Sequence, residues 1–154
     1  MLDYVPPSEN PDDEYPFYLT TGRRLPTYHT NTMTGRSDGF RILVANEWLE
    51  VHPRDAEQLG FEDGDWALIR SRRGEVTTRV AITKTSPVGT MFMSFAFPEE
   101  TMTNNVTNPE VDPTTETPEF KVAAVSVERV EAPAGLGAEQ ALRSDAGIED
   151  TRHD

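Results

Sequence analysis

Between Thr21 and Ser37 the chain reads TGRRLPTYHTNTMTGRS, a run dense in small donors and cations. Arg23, Arg24 and Arg36 carry planar guanidinium forks that bond phosphate oxygens two at a time. Tyr28, His29, Thr30, Thr32 and Thr34 add hydroxyl and imidazole partners for whatever oxygens remain. Gly22 stands at the head of the run, where a positive φ would let a ligand approach the backbone. Such a stretch is suited to holding an anionic ligand with polar edges. The same spacing equally fits a hairpin with a polar loop.

Other chemistry is poorly supplied. His29 is the only histidine in this polar loop, and a general base would need an orienting carboxylate that no neighbour provides. A hydrogen bond to a ligand or to the backbone is its expected role. His52 precedes Pro53 and reads as structural. Three scattered histidines and no cysteine make no metal site, disulfide or thiol nucleophile. His153, beside acids at the C-terminus, reads as part of a solvated end. No nucleophile elbow, phosphate loop or G-x-G-x-x-G run occurs. The Arg70, Arg72, Arg73 group could bind phosphate but reads better as a hairpin turn with solvated arginines. Asn104 and Asn108 carry amides suited to the edge of a flat heterocycle, or to ordinary turn chemistry.

The elements that must position these residues are mostly short strands. Tyr15, Phe17 and Leu19 alternate with polar neighbours and lead as a strand into Gly22. Phe40–Val44 is an apolar run that fits either strand or helix. Trp48–His52 reads as a strand with Leu49 and Val51 inward. Pro53 opens a short helix, in which Ala56 and Leu59 share a face and which Gly60 ends. Gly64 sits in the next turn, where positive φ is needed. Strands follow at 66–70, at 76–82 with Val76, Thr78, Val80 and Ile82 in alternation, at 91–97, and at 122–130. The two tryptophans, Trp48 and Trp66, read as core or rim residues. Many short strands with glycine turns argue for a closed barrel, which also spares them exposed edges.

Residues 1–14 carry five acids and no base and read as a solvated lead-in; 131–154 shift to alanine, glycine and acids and read as a disordered tail, with at most a short helix near Ala138–Arg143. The barrel is expected across 15–130, as one domain. The net charge of −13 argues against nucleic acid, whose phosphates need a cationic face. Acids outnumber bases 27 to 14, a balance that keeps a protein hydrated in salt and suggests a halophilic source. Lys84 and Lys121 are the lysines among those bases. No apolar run reaches membrane-spanning length, and the first residues lack the basic and hydrophobic parts of a signal peptide. A soluble, cytoplasmic protein is the expectation.

Two blocks, read in order, carry a family resemblance. LTTGR followed by YHTNTMTGRS resembles the opening of the C-terminal molybdopterin-dinucleotide-binding domain of the dimethyl-sulfoxide-reductase family, and of formate dehydrogenase large subunits in particular. TNNVTN, then VDP and PEFK, resembles that domain's ending. Between them, VHPRDAEQLGFEDGDWALIRSRRG resembles its double-psi β-barrel, a mainly β fold of aspartate-decarboxylase-like type with short helices.

The resemblance implies that Thr21, Gly22 and Arg23 form the turn against the pterin and its phosphates. It implies that Tyr28, His29, Thr30, Met33 and Thr34, followed by Arg36 and Ser37, form the loop that wraps the cofactor. Asn104 would meet the cofactor as well, and Phe120 with Lys121 would stand near a second pterin. The implied cofactor is molybdopterin guanine dinucleotide carrying molybdenum or tungsten. In the family the metal is held by a cysteine or selenocysteine, and an iron–sulfur cluster by N-terminal cysteines; this chain has neither. It is therefore expected to complete a formate-dehydrogenase-like enzyme with a larger catalytic partner that carries both. An assimilatory nitrate reductase and a cofactor-free interaction barrel are the alternatives; an independent decarboxylase on the same barrel has no Gly-Ser processing site to support it.

Overall fold

The computed structural model describes residues 4–44 and 46–133. Six strands close into a barrel in the order β1 (Phe17–Gly22), β5 (Thr90–Ser94), β2 (Trp48–Val51), β4 (Glu75–Ile82), β3 (Trp66–Arg70) and β6 (Ala123–Val130). β1 pairs parallel with β5, and β2 parallel with β4; the remaining pairings are antiparallel. This is the mainly β, double-psi barrel that the sequence leads one to expect. Closure leaves none of these short strands with an unpaired edge.

The inward parity follows the sequence pattern. Phe17, Leu19 and Thr21 of β1, Leu49 and Val51 of β2, and Val76, Thr78 and Val80 of β4 are buried. Leu19, Leu49, Val51, Ile69, Met91, Met93 and Val125 are wholly buried and form the barrel interior. Ile82, at the end of β4, is only partly buried against that core.

Helix α2 (Pro53–Leu59) begins and ends on local signals. Pro53 occupies its first turn, His52 Nδ1 accepts from the Arg54 N–H at 3.1 Å, and Gly60 stops it in the left-handed region at φ 73°. Gly64 takes φ 88° in the following turn, as its place in the sequence requires. The ambiguous run at 40–44 resolves as helix α1 (Asp38–Leu43), which buries none of its residues. No helix among the described residues is long and apolar enough to cross a membrane.

Two expectations differ from the structure. The strand read across 91–97 stops at Ser94, because the Ser94 side chain takes over where the ladder would continue. Its hydroxyl donates to the buried Glu47 carboxylate and accepts from the Ala96 N–H at 3.1 Å. Residues 95–97 therefore turn out of the sheet. The described part of the lead-in, residues 4–14, forms no helix or strand, yet part of it is tied to the barrel. Glu9 accepts from Arg73 at 2.6 Å and from the Ala124 N–H at 3.1 Å, and Asp12 pairs with Arg72. The arginines of the β3–β4 turn are thus ion-paired to the lead-in instead of being left to water, since acids close by in space neutralise them. The readings made for Ala138–Arg143 and His153 lie outside the described residues.

Candidate functional site

Topology brings the two sequence blocks to one end of the barrel. Because β1 and β5 run parallel with Gly22 opposite Ser94, the chain leaves both strands on the same side. β6 runs antiparallel to β1, with Leu19 opposite Ala123, so its entry at Phe120 and Lys121 arrives there too. A cavity of about 360 Å³ lies at this end. Gly22, Arg23, His29 and Thr30 line it from the first block, and Asn104, Phe120 and Lys121 from the second. Seven of the residues named from sequence therefore converge on one space.

The sequence reading missed the far wall. Phe95 and Pro98, which follow β5, and Thr101, Met102 and Thr103 complete the lining. Phe95 meets Phe120 edge to face, with centroids 5.7 Å apart and planes at 66°. Thr103 is buried and donates its hydroxyl to the Ser94 carbonyl at 2.8 Å. The signal for Phe95 lies in the apolar run itself, whose end reads as strand by pattern alone.

Thr21 is a buried support beside the cavity. Its hydroxyl donates to the Phe120 carbonyl at 2.6 Å, and its own carbonyl accepts from Lys121 Nζ at 2.5 Å. Gly22 is not in the left-handed region, so its expected positive φ is corrected. Packing is what favours glycine there: an added Cβ would lie 2.6 Å from a ring carbon of Phe92, and that ring would have to shift.

The two adjacent arginines separate. Arg23 is exposed, lines the cavity and has no ion-pair partner among the described residues. Arg24 is buried, paired with Glu47 at 2.9 Å and Glu50 at 3.2 Å, and stacked over the Trp48 ring at 3.8 Å. It holds the loop to β2.

Tyr28 and the loop from Asn31 to Ser37 lie outside this cavity. His29 and Asn31 have φ of 51° and 63°, a left-handed conformation that non-glycine residues rarely take and that clusters at ligand clamps. Thr34 spends its hydroxyl inside the loop, accepting from the Tyr28 N–H at 3.1 Å and donating to Asn31 Oδ1 at 2.6 Å. Tyr28 and Met33 are exposed, and Ser37 precedes α1 without a side-chain cap. Arg36 opens on a neighbouring cavity of about 410 Å³ that shares Thr30 and Pro98 with the first. Asn108 is buried away from the cavity in contacts described below.

Chemically, the first cavity presents two cations, Arg23 and Lys121, and no carboxylate among its lining residues. Phe95, Phe120, Pro98 and Met102 give it apolar walls. His29 has no acid in that lining to orient it, and no group of residues able to hold a metal occurs among those described. Such a lining suits a flat, anionic molecule, and it holds no acid–base pair.

Comparison with known proteins bears on the family and the fold. The family model described as the molydopterin dinucleotide binding domain matches residues 17–124. The chain is 43% identical over 129 residues to the F420-dependent formate dehydrogenase 1 subunit alpha of Methanococcus maripaludis, covering 84% of this chain and 19% of that protein. It is 41% identical over 129 residues, with the same coverage, to the F420-dependent formate dehydrogenase subunit alpha of Methanocaldococcus jannaschii. It is 41% identical over 126 residues to a nitrate reductase of Symbiobacterium thermophilum, covering 80% of this chain and 17% of that one. The chain thus spans about a fifth of the length of the curated relatives it matches. Among solved structures, acetylene hydratase from Pelobacter acetylenicus superposes with a TM-score of 0.65 over 75% of this chain and 18% of its own; at 17% identity the likeness is one of fold. A barrel with this cavity, matched by this family model over most of its length, belongs to the molydopterin dinucleotide binding domain family.

Proposed function

We propose that this domain holds the guanine-dinucleotide form of the cofactor, with molybdenum or tungsten, at the end of the barrel where β1 and β5 emerge. The observation that carries the reading is charge. On a chain of net charge −13, the cavity has Arg23 and Lys121 in its wall and no lining carboxylate. A dinucleotide brings two phosphates and needs such an exception in an acidic surface. Arg23 and Lys121 would meet phosphate oxygens, and His29, Thr30 and Asn104 the remaining polar edges. Phe95 and Phe120 offer apolar surface to a flat ring system. Thr21 and Gly22 support that wall, while Tyr28, Met33, Thr34 and Ser37 shape the loop over it. Arg36 lines the adjoining cavity with Arg41, Glu99 and Glu100, a mixed lining that would take a polar, uncharged part of the same extended molecule. When bound, the cofactor supplies a metal centre for two-electron transfer; the residues of this chain bind and orient it.

The whole enzyme in this reading oxidises formate, with the metal ligand and an iron–sulfur cluster on a larger catalytic partner. Relatives named formate dehydrogenase support formate, and the relative named nitrate reductase keeps nitrate as the second reading. The surface supports a partner as well. Leu25, Tyr28, Met33, Phe40, Ile42 and Leu43 are exposed within one short stretch, and α1 buries nothing. A single helix this short has little stability in water unless its apolar side is covered. The remaining four-fifths of an enzyme the size of the relatives is the occupant we assign to it. A cytoplasmic, halophilic setting belongs to the same reading, and the excess of acids supports the halophily.

The test is co-purification of the full chain with its partner from the source cells in high salt, followed by assay of metal and pterin. A cysteine-rich partner carrying molybdenum or tungsten is expected, with pterin lost from Arg23→Glu and Lys121→Glu variants. Pterin retained at the parental level in both variants would overturn the site.

A further inference from the structure

We propose that residues 8–12 form a clasp that sets the position of Phe120 and Lys121, with Asn108 and Glu119 as positioning residues of the cavity. The functional meaning rests on the cofactor reading above, but the geometry stands apart from it.

Asn108 is 4% exposed, and its amide is fully engaged. Its Nδ2 donates to Ser8 Oγ at 2.7 Å and to Glu119 Oε2 at 3.0 Å, while its Oδ1 accepts from the Glu110 N–H at 3.0 Å. Ser8 closes the triangle, donating from its hydroxyl to Glu119 Oε2 at 2.5 Å and from its backbone N–H to the same oxygen at 3.3 Å. Ser8 is 100 residues from Asn108 and 111 from Glu119 in the chain. A buried amide with all its partners present is costly to disturb, because any atom left over has no water to turn to.

Asn108 and Glu119 bracket an exposed excursion, residues 109–118. It is tied across by the Glu119 N–H to the Glu110 carbonyl and the Asp112 N–H to the Thr117 carbonyl, each at 2.9 Å. The residue that ends the excursion is Glu119, and the next two are the cavity's Phe120 and Lys121. Thr21 holds that pair on the β1 side. Glu119 holds it on the other.

The clasp has its own anchor. Glu9, next to Ser8, accepts from Arg72 at 2.5 Å, Arg73 at 2.6 Å and the Ala124 N–H at 3.1 Å. Arg73 also donates to the Val106 carbonyl at 3.1 Å, two residues before Asn108. The β3–β4 turn, the 106–108 segment, β6 and the lead-in are thereby locked together just behind the cavity wall.

The test exchanges the polarity of the central pair in the full chain. In Asn108→Asp two carboxylates face each other, whereas the double variant Asn108→Asp with Glu119→Gln restores one donor and one acceptor. Two readouts apply: the nuclear Overhauser contact between the Phe95 and Phe120 rings, and amide exchange at Asp112, Glu116 and Glu119. The single variant is expected to weaken the ring contact and speed exchange at those amides about tenfold, with Ile69 and Val80 in the barrel unchanged. The double variant is expected to restore both. An unaltered ring contact and exchange in the single variant, or no restoration in the double one, would overturn the proposal. Should Asn108→Asp not fold, Ser8→Ala at an exposed position decides: faster exchange at the same three amides supports the clasp, and unchanged exchange overturns it. Neither readout involves pterin, so the clasp can fail while the cofactor site stands, and the reverse.

Discussion

The guanidinium of Arg24 lies 3.8 Å over the Trp48 ring while bonding the Trp48 carbonyl at 3.0 Å, so one side chain grips both the ring and the backbone of the residue that opens β2. Glu47 completes the grip. It takes Arg24 at 2.9 Å, the Ser94 N–H at 3.1 Å and the Ser94 hydroxyl, which ties the loop after β1 to the end of β5.

Arg24→Ala leaves the Glu47 carboxylate buried and short of its cation. Removing one partner of a buried pair costs about 3–5 kcal/mol. Arg23→Ala, an exposed change one residue earlier, is expected to shift stability by no more than about 0.5 kcal/mol. Urea unfolding of the two variants measures the contrast; equal losses would show that Arg24 is not the anchor described.

Gly22→Ala places a methyl 2.6 Å from the Phe92 ring. Overpacking of this kind costs about 1–3 kcal/mol. The double variant Gly22→Ala with Phe92→Leu, which removes the obstructing ring, is expected to recover part of the loss in thermal unfolding. An additive double variant would mean the contact is not the cause.

Glu9 makes stability depend on pH. Burial by itself would raise its carboxyl, but hydrogen bonds from Arg73, the Ala124 N–H and Arg72 outweigh that and hold it below the ordinary 4.5. A carboxyl lowered by folding contributes stability that is fully present above its unfolded value and is lost as pH falls through the folded one. Unfolding midpoints should therefore decline below about pH 4.5, and part of that acid decline should be missing in Glu9→Gln. Parallel pH profiles for the two proteins would remove Glu9 from the account.

Ile42→Asp tests the exposed apolar face. Ile42 is 70% exposed, so the isolated chain should keep its stability within about 0.5 kcal/mol. Association with the catalytic partner should fall, read by co-purification from cells expressing the variant. Undiminished recovery of the partner would place the interface elsewhere.

The sequence carried everything that depends on near neighbours. Period-two alternation told which side of β1, β2 and β4 faces inward, because successive side chains on a strand must point to opposite faces. Pro53, His52 and Gly60 marked α2 through capping chemistry that acts within a turn. The order of the two motif blocks was enough to place the chain in its family. What local pattern could not carry was which of several similar residues would meet in space. Arg23 and Arg24 are indistinguishable in a string, and burial against Trp48 and Glu47 separates them. Phe95 looks like the continuation of a strand until the Ser94 side chain ends the ladder and turns it into the cavity wall. Gly22 faces a ring seventy residues away, and Glu9 and Asp12 of the acidic lead-in are held because they meet Arg72 and Arg73 of the β3–β4 turn. Each of these rests on pairing β1 with β5 and on closing the sheet, and long-range pairing leaves no periodicity in the chain that forms it.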